Sequence, residues 1–168
     1  MSKRQLRMRR PSLENLPELA VPAGYALHTG REDSKAVWED IVASSFGRNM
    51  DYEETLNYPN CGPEHCWFCA VDGVDVATAT SYTRDEYPGD AVLLMVATHQ
   101  KGLRRGAGKL AVLAVLHGLR ETGCGAVWLY TDDFRLPAIQ LYLSLGFEPV
   151  IDDEEMQARW DAIRTQLA

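Results

Sequence analysis

The sequence predicts a mixed α/β domain whose central sheet is antiparallel in its first half and parallel in its second half. Three apolar, strand-like segments are separated only by turns at residues 72–73 and 87–90, which predicts an antiparallel meander. Strand and helix patterns then alternate, which is typical of parallel pairing and an α/β layer. The expected strands are residues 66–71, 74–83, 91–98, 126–131 and 147–151, and the expected helices of the second half are residues 106–122 and 136–145.

The length and composition favour one globular domain. With 168 residues, of which 46% are hydrophobic and 24% charged, the chain can bury a sizeable core without disulfides or metal ions. No apolar run approaches the ~20 residues of a membrane-spanning helix. The first residues, MSKRQLRMRR, also lack the apolar stretch of a secretory signal. These observations predict a cytoplasmic protein without membrane contact.

The charge is distributed unevenly along the chain. The formal net charge is −7, although five of the 17 basic residues precede the first proline. The remainder is therefore more acidic than the whole, which argues against nucleic acid as a partner and favours cationic amines. The basic start predicts a flexible arm and lead-in over residues 1–23, followed by the domain of residues 24–168. We accordingly expect that removing residues 2–10 leaves ligand binding intact.

Residues 94–110 carry the clearest chemical pattern. An apolar strand runs into a loop rich in glycine and arginine, and the loop leads directly into a helix. Such a loop presents backbone N–H groups and the positive end of the helix dipole to an anion. Gly106 and Gly108 let a phosphate approach the main chain, while two arginines and a lysine beside them add positive charge. The loop therefore predicts a pyrophosphate site.

Two common phosphate-binding loops do not fit these residues. A Walker loop has four residues between its first glycine and its Gly-Lys pair, which Ser or Thr follows. Here five residues separate Gly102 from Gly108, and a leucine follows the lysine. The dinucleotide pattern G-x-G-x-x-G is only partly matched, and this helix follows several strands instead of the first one.

The loop and residues 138–147, Ala-Ile-Gln-Leu-Tyr-Leu-Ser-Leu-Gly-Phe, together resemble the GNAT superfamily of N-acetyltransferases. The resemblance covers residues 24–151. It implies a GNAT-like central mixed sheet with helices on both faces, splayed where coenzyme A binds, and acetyl-CoA as the co-substrate. The family loop reads Arg or Gln, two residues, Gly, one residue, then Gly or Ala. Leu103 stands here at the position of the Arg or Gln.

The resemblance also implies which residues contact the coenzyme. In the family, the strand before the loop pairs with the pantetheine arm and the loop cradles the pyrophosphate. Arg135 could reach a coenzyme phosphate, and the alternative is an arginine that pairs with an aspartate or with water. The implied coenzyme-binding residues are Val96, Ala97, Thr98, Leu103, Arg104, Arg105, Gly106, Ala107, Gly108, Lys109 and Arg135.

One catalytic residue is implied by the same resemblance. Tyr142 matches the tyrosine that, in many family members, lies near the coenzyme sulfur and protonates the departing thiolate. The alternative is a core tyrosine with a packing role. The general base is left open, because residues 92–96 contain no carboxylate. Asp90, Asp132, Asp133 and a chain of water molecules are the alternatives.

We therefore predict an acyl-CoA-dependent N-acyltransferase. It would transfer acetyl from acetyl-CoA to the primary amine of a small molecule, by direct attack in a ternary complex. Residues 129–138 resemble the mycothiol-synthase-like branch of the family, which acylates a small amino-sugar conjugate. The acceptor is left open; its site is expected in the loops of residues 47–65 and 82–90. The sequence also allows a homodimer.

Two other functions stay open. Leu103 and the strand without a carboxylate favour a non-catalytic acyl-CoA-binding sensor or partner protein that retains the fold. Cys61, Cys66 and Cys69 suggest a zinc-binding interaction module. However, side chains three residues apart on a strand point to opposite faces, so we expect no metal.

Overall fold

In the computed structural model, which describes residues 2–168, seven strands form one mixed sheet with helices on both faces. The strands are β1 (Leu6–Arg10), β2 (Tyr25–Thr29), β3 (Cys66–Val71), β4 (Val74–Tyr82), β5 (Ala91–Thr98), β6 (Val127–Thr131) and β7 (Glu148–Pro149). The helices are α1 (Lys35–Phe46), α2 (Tyr52–Thr55), α3 (Ala107–Glu121), α4 (Leu136–Ser144) and α5 (Glu154–Leu167). Across the sheet the strand order is β2-β3-β4-β5-β6-β1-β7.

The expected change from antiparallel to parallel pairing is confirmed at one pair of strands, whereas β6 and β7 do not pair with each other because each pairs antiparallel with β1. Strands β2 to β5 pair antiparallel in sequence order, whereas β5 and β6 pair parallel. The turn between β3 and β4 has Asp72 at φ 51° and Gly73 at φ 80°. Positive φ at both positions is the conformation of the tight hairpin turns that Asp-Gly favours. Helix α3 forms the crossover that a parallel pair requires.

A hydrophobic core lies on each face of the sheet. Helices α3, α4 and α5 pack on one face, where Leu116 and Trp160 are buried. Helices α1 and α2 pack on the other face, where Trp38 and Phe68 are buried. Since side chains alternate along a strand, adjacent strand residues contribute to different cores.

The prediction of a flexible N-terminal arm is wrong for residues 6–10, because these residues form β1, which lies between β6 and β7. β1 pairs antiparallel with β6, with Leu6 opposite Thr131 and Arg10 opposite Val127. Leu6 and Met8 are both 0% exposed. Arg7 and Arg9 alternate with Leu6 and Met8, so one face of the strand enters the core while Arg9 lies over the ring of Trp128 and Arg7 pairs with Asp152. A count of charges does not reveal that alternation.

The lead-in between β1 and β2 is also packed against the domain. Leu13 is buried, and Leu16 and Leu19 pack against the same core. The carbonyl oxygen of Pro17 lies 2.9 Å from Nε2 of His117 on α3. Residues before position 24 are therefore part of the folded unit.

These contacts change the expected effect of removing residues 2–10. The deletion takes away the buried side chains of Leu6 and Met8 and leaves β6 and β7 without their common partner. Each buried apolar side chain is worth about 2–5 kcal/mol, so we expect the melting temperature to fall by roughly 10 °C or more. Thermal unfolding, monitored by circular dichroism, measures the change in melting temperature. Removal of residues 2–4, which make only exposed ion pairs, is the control and should change little. Equal melting temperatures for both deletions would contradict the role of β1.

The cysteines are placed as their spacing predicts. The Sγ atom of Cys66 lies 3.7 Å from the hydroxyl of Tyr52 and 3.3 Å from that of Thr80. Cys69, by contrast, belongs to the core on the opposite face. Within residues 2–168 every cysteine is a free thiol, and no group of three or more His, Cys, Asp or Glu is placed to hold a metal ion. No helix of the described chain has the length and apolar character needed to cross a bilayer.

Candidate functional site

The parallel strands β5 and β6 separate partway along their length. Their pairing runs from Ala91 and Val127 to Leu93 and Leu129 and then ends, although both strands continue. The register between β4 and β5 also shifts at this level, and Met95 has a φ of 51°. A bulge with a left-handed residue bends its strand. The separation that the family resemblance implies is therefore present, and it exposes backbone groups of β5 beyond Leu93.

A cleft of about 190 Å³ occupies this gap, and we call it the first cleft. Residues from β5, β6, α4 and the end of α1 line it, together with the residues just after α1, just before β1 and between β6 and α4. They are Gln5, Phe46, Arg48, Met50, Leu93, Leu94, Met95, Val96, Leu129, Tyr130, Thr131, Asp132, Arg135, Ala138 and Tyr142. The gap thus brings Val96, Arg135 and Tyr142 from the sequence prediction to one place.

The loop after β5 presents unpaired N–H groups at the start of α3. The first bond of this helix runs from the N–H of Leu110 to the carbonyl of Gly106, at 3.1 Å. The N–H groups of residues 107–109 therefore have no acceptor within the helix. Gly106 is the N-cap residue and has no side chain with which to cap them. This helix start is an anion-binding arrangement of N–H groups and dipole.

Glycine is required at the two loop positions for different physical reasons. Gly106 has a φ of 76° and nothing within 4 Å of the place of a Cβ atom, so it serves the backbone turn and leaves open space. A Cβ atom on Gly108 would lie 2.7 Å from Oγ1 of Thr98. Glycine at this position therefore lets the start of α3 pack against the end of β5.

The charged side chains of the loop are not equivalent. Arg105 pairs with Asp72 at 3.4 Å, and its carbonyl oxygen accepts a hydrogen bond from the Tyr25 hydroxyl at 2.8 Å. Arg104 and Lys109 are exposed beside the helix start. Leu103 is 48% exposed, so a leucine side chain lies at the surface where the family carries Arg or Gln. Arg104 and Lys109 are thus the side chains best placed to attract a phosphate.

The remaining predicted strand residues support the loop. Ala97 is 2% exposed and belongs to the core beside α1. The N–H of Thr98 donates to Oγ of Ser45 on α1 at 3.4 Å. Ala107 is buried at the start of α3. These residues hold the loop in place against α1 and the sheet.

Tyr142 lies on α4 and lines the first cleft at 7% exposure. Its ring packs edge-on to Phe147, with centroids 5.9 Å apart. Burial raises the pKa of its phenol above the usual value, and the nearby Arg135 only partly offsets this. No residue among those described forms a hydrogen bond with its hydroxyl. The phenol is therefore held protonated and is available to a ligand in the cleft.

Arg135 is engaged with protein groups at the mouth of the cleft. Its Nε lies 3.4 Å from Oδ2 of Asp132. Its guanidinium lies 4.3 Å from the ring centroid of Phe46 on α1 and 5.3 Å from that of Phe134. The structure thus shows the aspartate-paired arginine that the sequence left as an alternative. A contact between Arg135 and a coenzyme phosphate stays a prediction.

A second cleft, of about 370 Å³, adjoins the first along β5. It opens between β4, β5 and β6 and draws on widely separated parts of the chain. Its lining consists of Gln5, Tyr58, Tyr82, Arg84, Val92, Leu93, Leu94, Met95 and Tyr130. The expected acceptor loops supply Tyr58 and Arg84, whereas the contributions of Gln5 and Tyr130 were not predicted. No carboxylate belongs to this described lining, so the overall acidity of the chain is not reproduced in the cleft.

Hydrogen bonds fix the polar wall of the second cleft. Nη1 of Arg84 donates to the Tyr130 hydroxyl at 3.0 Å, and that hydroxyl lies 2.9 Å from the Tyr87 hydroxyl. Burial, with contributions from Tyr87, raises the pKa of Tyr130 to about 12. Glu86 binds the rest of the Arg84 guanidinium. This wall presents neutral phenols instead of free charges.

Two of the three candidate carboxylates have structural roles. Asp90 accepts hydrogen bonds from the N–H of Ala126 at 2.8 Å and from Nε1 of Trp128 at 2.9 Å. Asp133 pairs with the buried Arg159 at 2.5 Å. Only Asp132 lines the first cleft, and its carboxylate is already paired with Arg135. The geometry therefore favours a water chain over a dedicated carboxylate base.

The ion pair of Asp133 predicts a pH-dependent stability. Hydrogen bonds from Arg159 and Lys3 lower the pKa of Asp133 to about 2. A lowered pKa in the folded state stabilises the protein above the unfolded pKa of about 3.9, and this contribution, about 1 kcal/mol for a partly solvent-exposed pair, is lost as the pH falls through about 2. Asp133→Asn should lower the free energy of unfolding at pH 6 and reduce its dependence on pH between 4 and 2. Urea unfolding of the wild type and the variant at several pH values measures these free energies. Asp161→Asn, which removes an exposed partner of Arg164, is the control.

Comparisons with known proteins agree with this geometry. Over residues 34–147 the sequence matches the Acetyltransferase (GNAT) family. A mycothiol acetyltransferase from Nocardia farcinica (strain IFM 10152) is 40% identical over 148 residues, which cover 80% of this chain and 48% of the relative. A mycothiol acetyltransferase from Thermomonospora curvata is 30% identical over 154 residues, covering 84% and 50%. The chain spans about half the length of these curated relatives.

Solved structures share the fold. The ribosomal-protein-S18-alanine N-acetyltransferase from Escherichia coli aligns with a TM-score of 0.65 at 17% identity, covering 76% of this chain and 79% of that one. A GCN5-related N-acetyltransferase from Kribbella flavida has a TM-score of 0.65 at 22% identity, covering 88% and 55%. At these identities the likeness concerns the fold alone.

Proposed function

The chain belongs to the acetyltransferase (GNAT) family, and on that premise we propose that it transfers the acetyl group of acetyl-CoA to the primary amine of a small molecule. One observation carries the proposal: the open edge of β5 lines the first cleft and runs on to Thr98, against which the uncapped start of α3 packs. An extended amide-containing arm and a pyrophosphate are the two chemical parts that such an edge and such a helix start bind.

The residues present fit acetyl-CoA in this position. The N–H groups of residues 107–109 would hold the pyrophosphate, and Gly106 leaves the space that it needs. Arg104 and Lys109 would add charge at the surface. Backbone groups of β5 beyond Leu93 would pair with the pantetheine amides and direct the thioester towards Tyr142. Acetyl-CoA supplies the acyl group and a thiolate leaving group.

The chemistry needs few side chains. A neutral amine attacks the thioester carbon, so a nitrogen–carbon bond forms and the carbon–sulfur bond breaks. N–H groups of β5 near the bulge at Met95 stabilise the charge that develops on the carbonyl oxygen. Tyr142 gives its proton to the departing sulfur, the proton of the attacking nitrogen passes to water, and the Tyr142 phenolate regains a proton from water.

The curated relatives are named mycothiol acetyltransferases, which makes their acceptor the first compound to test. The second cleft supports a small acceptor, because its volume of about 370 Å³ suits a small molecule. The cytoplasmic location and the homodimer stay predictions of the sequence.

The proposed activity is tested by release of coenzyme A. Purified protein is mixed with acetyl-CoA and one of several amines, namely glucosamine, cysteine, tyramine and spermidine, besides the acceptor of the relatives. We expect acetylated product and free coenzyme A in equal amounts, dependent on both protein and amine. Mass spectrometry identifies the product.

A second candidate is an acyl-CoA-binding sensor, which the exposed Leu103 at the family's Arg or Gln position favours. Such a protein would still gain thermal stability from acetyl-CoA, because a ligand of the native state stabilises it by mass action. It would release no coenzyme A with any amine. Stabilisation by acetyl-CoA without release of coenzyme A would support the sensor and contradict the proposed enzyme.

A further inference from the structure

We propose that Gln5, the residue just before β1, is a positioning residue for the acceptor: its side-chain carbonyl oxygen accepts a hydrogen bond from the attacking amine. This inference rests on the proposed transfer reaction and adds to it a residue outside the segments that the family resemblance covers. It begins from the place of Gln5 between the two clefts.

The register of β1 places Gln5 at the site. Leu6 lies opposite Thr131, so Gln5, just before β1, is next to Asp132, just after β6. The buried residues Leu6 and Met8 point into the core beside α3. Continuing that alternation one residue back from β1 places Gln5 on the other face, and Gln5 lines both clefts together with Tyr130.

The orientation of the Gln5 amide follows from its neighbour. Nε2 of Gln5 donates to Oδ1 of Asp132 at 3.3 Å. An ionised carboxylate only accepts hydrogen bonds, so the NH₂ group must face it and the carbonyl oxygen must face away. Arg135 holds the other oxygen of Asp132, at 3.4 Å from its Nε. The chain Arg135–Asp132–Gln5 thus fixes the amide from one side.

Gln5 is one of the few residues shared by the two clefts. Leu93, Leu94 and Met95 are also shared but have apolar side chains. The remaining shared residue is Tyr130, whose hydroxyl is engaged by Arg84 and Tyr87. Among the shared residues that the structure describes, Gln5 thus has the side-chain acceptor atom without a hydrogen-bond partner.

An acceptor atom is useful at this junction. The amine must arrive uncharged from the second cleft and meet the thioester in the first one. A hydrogen bond from one of its N–H groups to the amide oxygen aims the nitrogen lone pair at the acyl carbon. The same bond strengthens as positive charge develops on nitrogen. An amide is far too weak a base to take the proton, which leaves to water.

The test compares two substitutions at Gln5 that separate its oxygen from its NH₂ group. Gln5→Met removes both, whereas Gln5→Glu keeps an accepting oxygen and places a second carboxylate beside Asp132. If Gln5 served only to hold Asp132, Gln5→Glu would be the worse variant, because like charges repel. If it positions the amine, Gln5→Glu retains more activity than Gln5→Met.

Gln157→Met is the matched control, because Nε2 of Gln157 also donates to an aspartate, at 2.8 Å from Oδ1 of Asp161, away from both clefts. Coenzyme A release is followed with glucosamine, cysteine, tyramine and spermidine. We expect kcat/KM for the amine to fall about fivefold to tenfold in Gln5→Met and to be unchanged in Gln157→Met. The rise in melting temperature with acetyl-CoA should be equal in all variants.

Three results would overturn the inference. The first is a Gln5→Met variant within about twofold of the wild-type kcat/KM. The second is a Gln5→Glu variant that is slower than Gln5→Met. In both cases the wild type still transfers acetyl, and the proposed function stands. The third is a wild type that is stabilised by acetyl-CoA but acetylates no amine, and this result removes the proposed function as well.

Discussion

We expect Gly106→Glu to abolish the rise in melting temperature that acetyl-CoA should give the wild-type protein. A carboxylate at this position lies in the open space before the first N–H groups of α3 and repels the pyrophosphate. A ligand at about 100 times its Kd stabilises a native protein by about 2.7 kcal/mol. For a chain of this size that is a shift of roughly 5–10 °C. Differential scanning fluorimetry with and without acetyl-CoA measures it.

The control for this variant must share its backbone strain, since Gly106 has a φ of 76°. Gly123, just beyond the other end of α3, has a φ of 79° and likewise nothing within 4 Å of a Cβ atom. Gly123→Glu should therefore introduce a similar backbone strain, on the order of 1–2 kcal/mol, and lower the melting temperature of the free protein about as much as Gly106→Glu does. It should keep the full acetyl-CoA shift. A full shift in Gly106→Glu would show that the pyrophosphate binds elsewhere.

The coenzyme loop could be predicted because its parts are consecutive in the chain. A strand, two glycines, flanking cations and a helix start occur within residues 94–110, and local geometry is enough to bring N–H groups together. The separation of β5 from β6 came from the family resemblance. Its local cause, the left-handed Met95 at a register shift, has no signal in the residue type.

The second cleft could be predicted only in part. Tyr58 and Arg84 lie in the loops expected to bind the acceptor, whereas Gln5 reaches the cleft only because β1 inserts between β6 and β7. That insertion depends on non-local pairing, which no local pattern specifies. The alternation of Leu6 and Met8 with arginines was the available signal for the strand, and the count of positive charges hid it.

The second large effect expected is on turnover, in the variant Tyr142→Phe. The phenol lines the first cleft without a protein partner among the described residues, and burial raises its pKa, so it stays protonated at the pH of an assay. Phenylalanine keeps the ring and its edge-on contact with Phe147. The fold and the acetyl-CoA shift in melting temperature should therefore remain, and only the proton donor is lost.

General-acid assistance is typically worth 10²–10⁴-fold, although water replaces part of it, so we expect kcat to fall by roughly 10-fold or more with little change in the KM for acetyl-CoA. Tyr52→Phe is the matched control, because Tyr52 is also 7% exposed but contacts Cys66 in the core beside α1. It should retain the wild-type kcat. Because Tyr142 stays protonated, the ratio of wild-type to Tyr142→Phe rates should be constant from about pH 7 to 9. Wild-type kcat in a folded, acetyl-CoA-binding Tyr142→Phe variant would instead make Tyr142 a packing residue and leave solvent to protonate the thiolate.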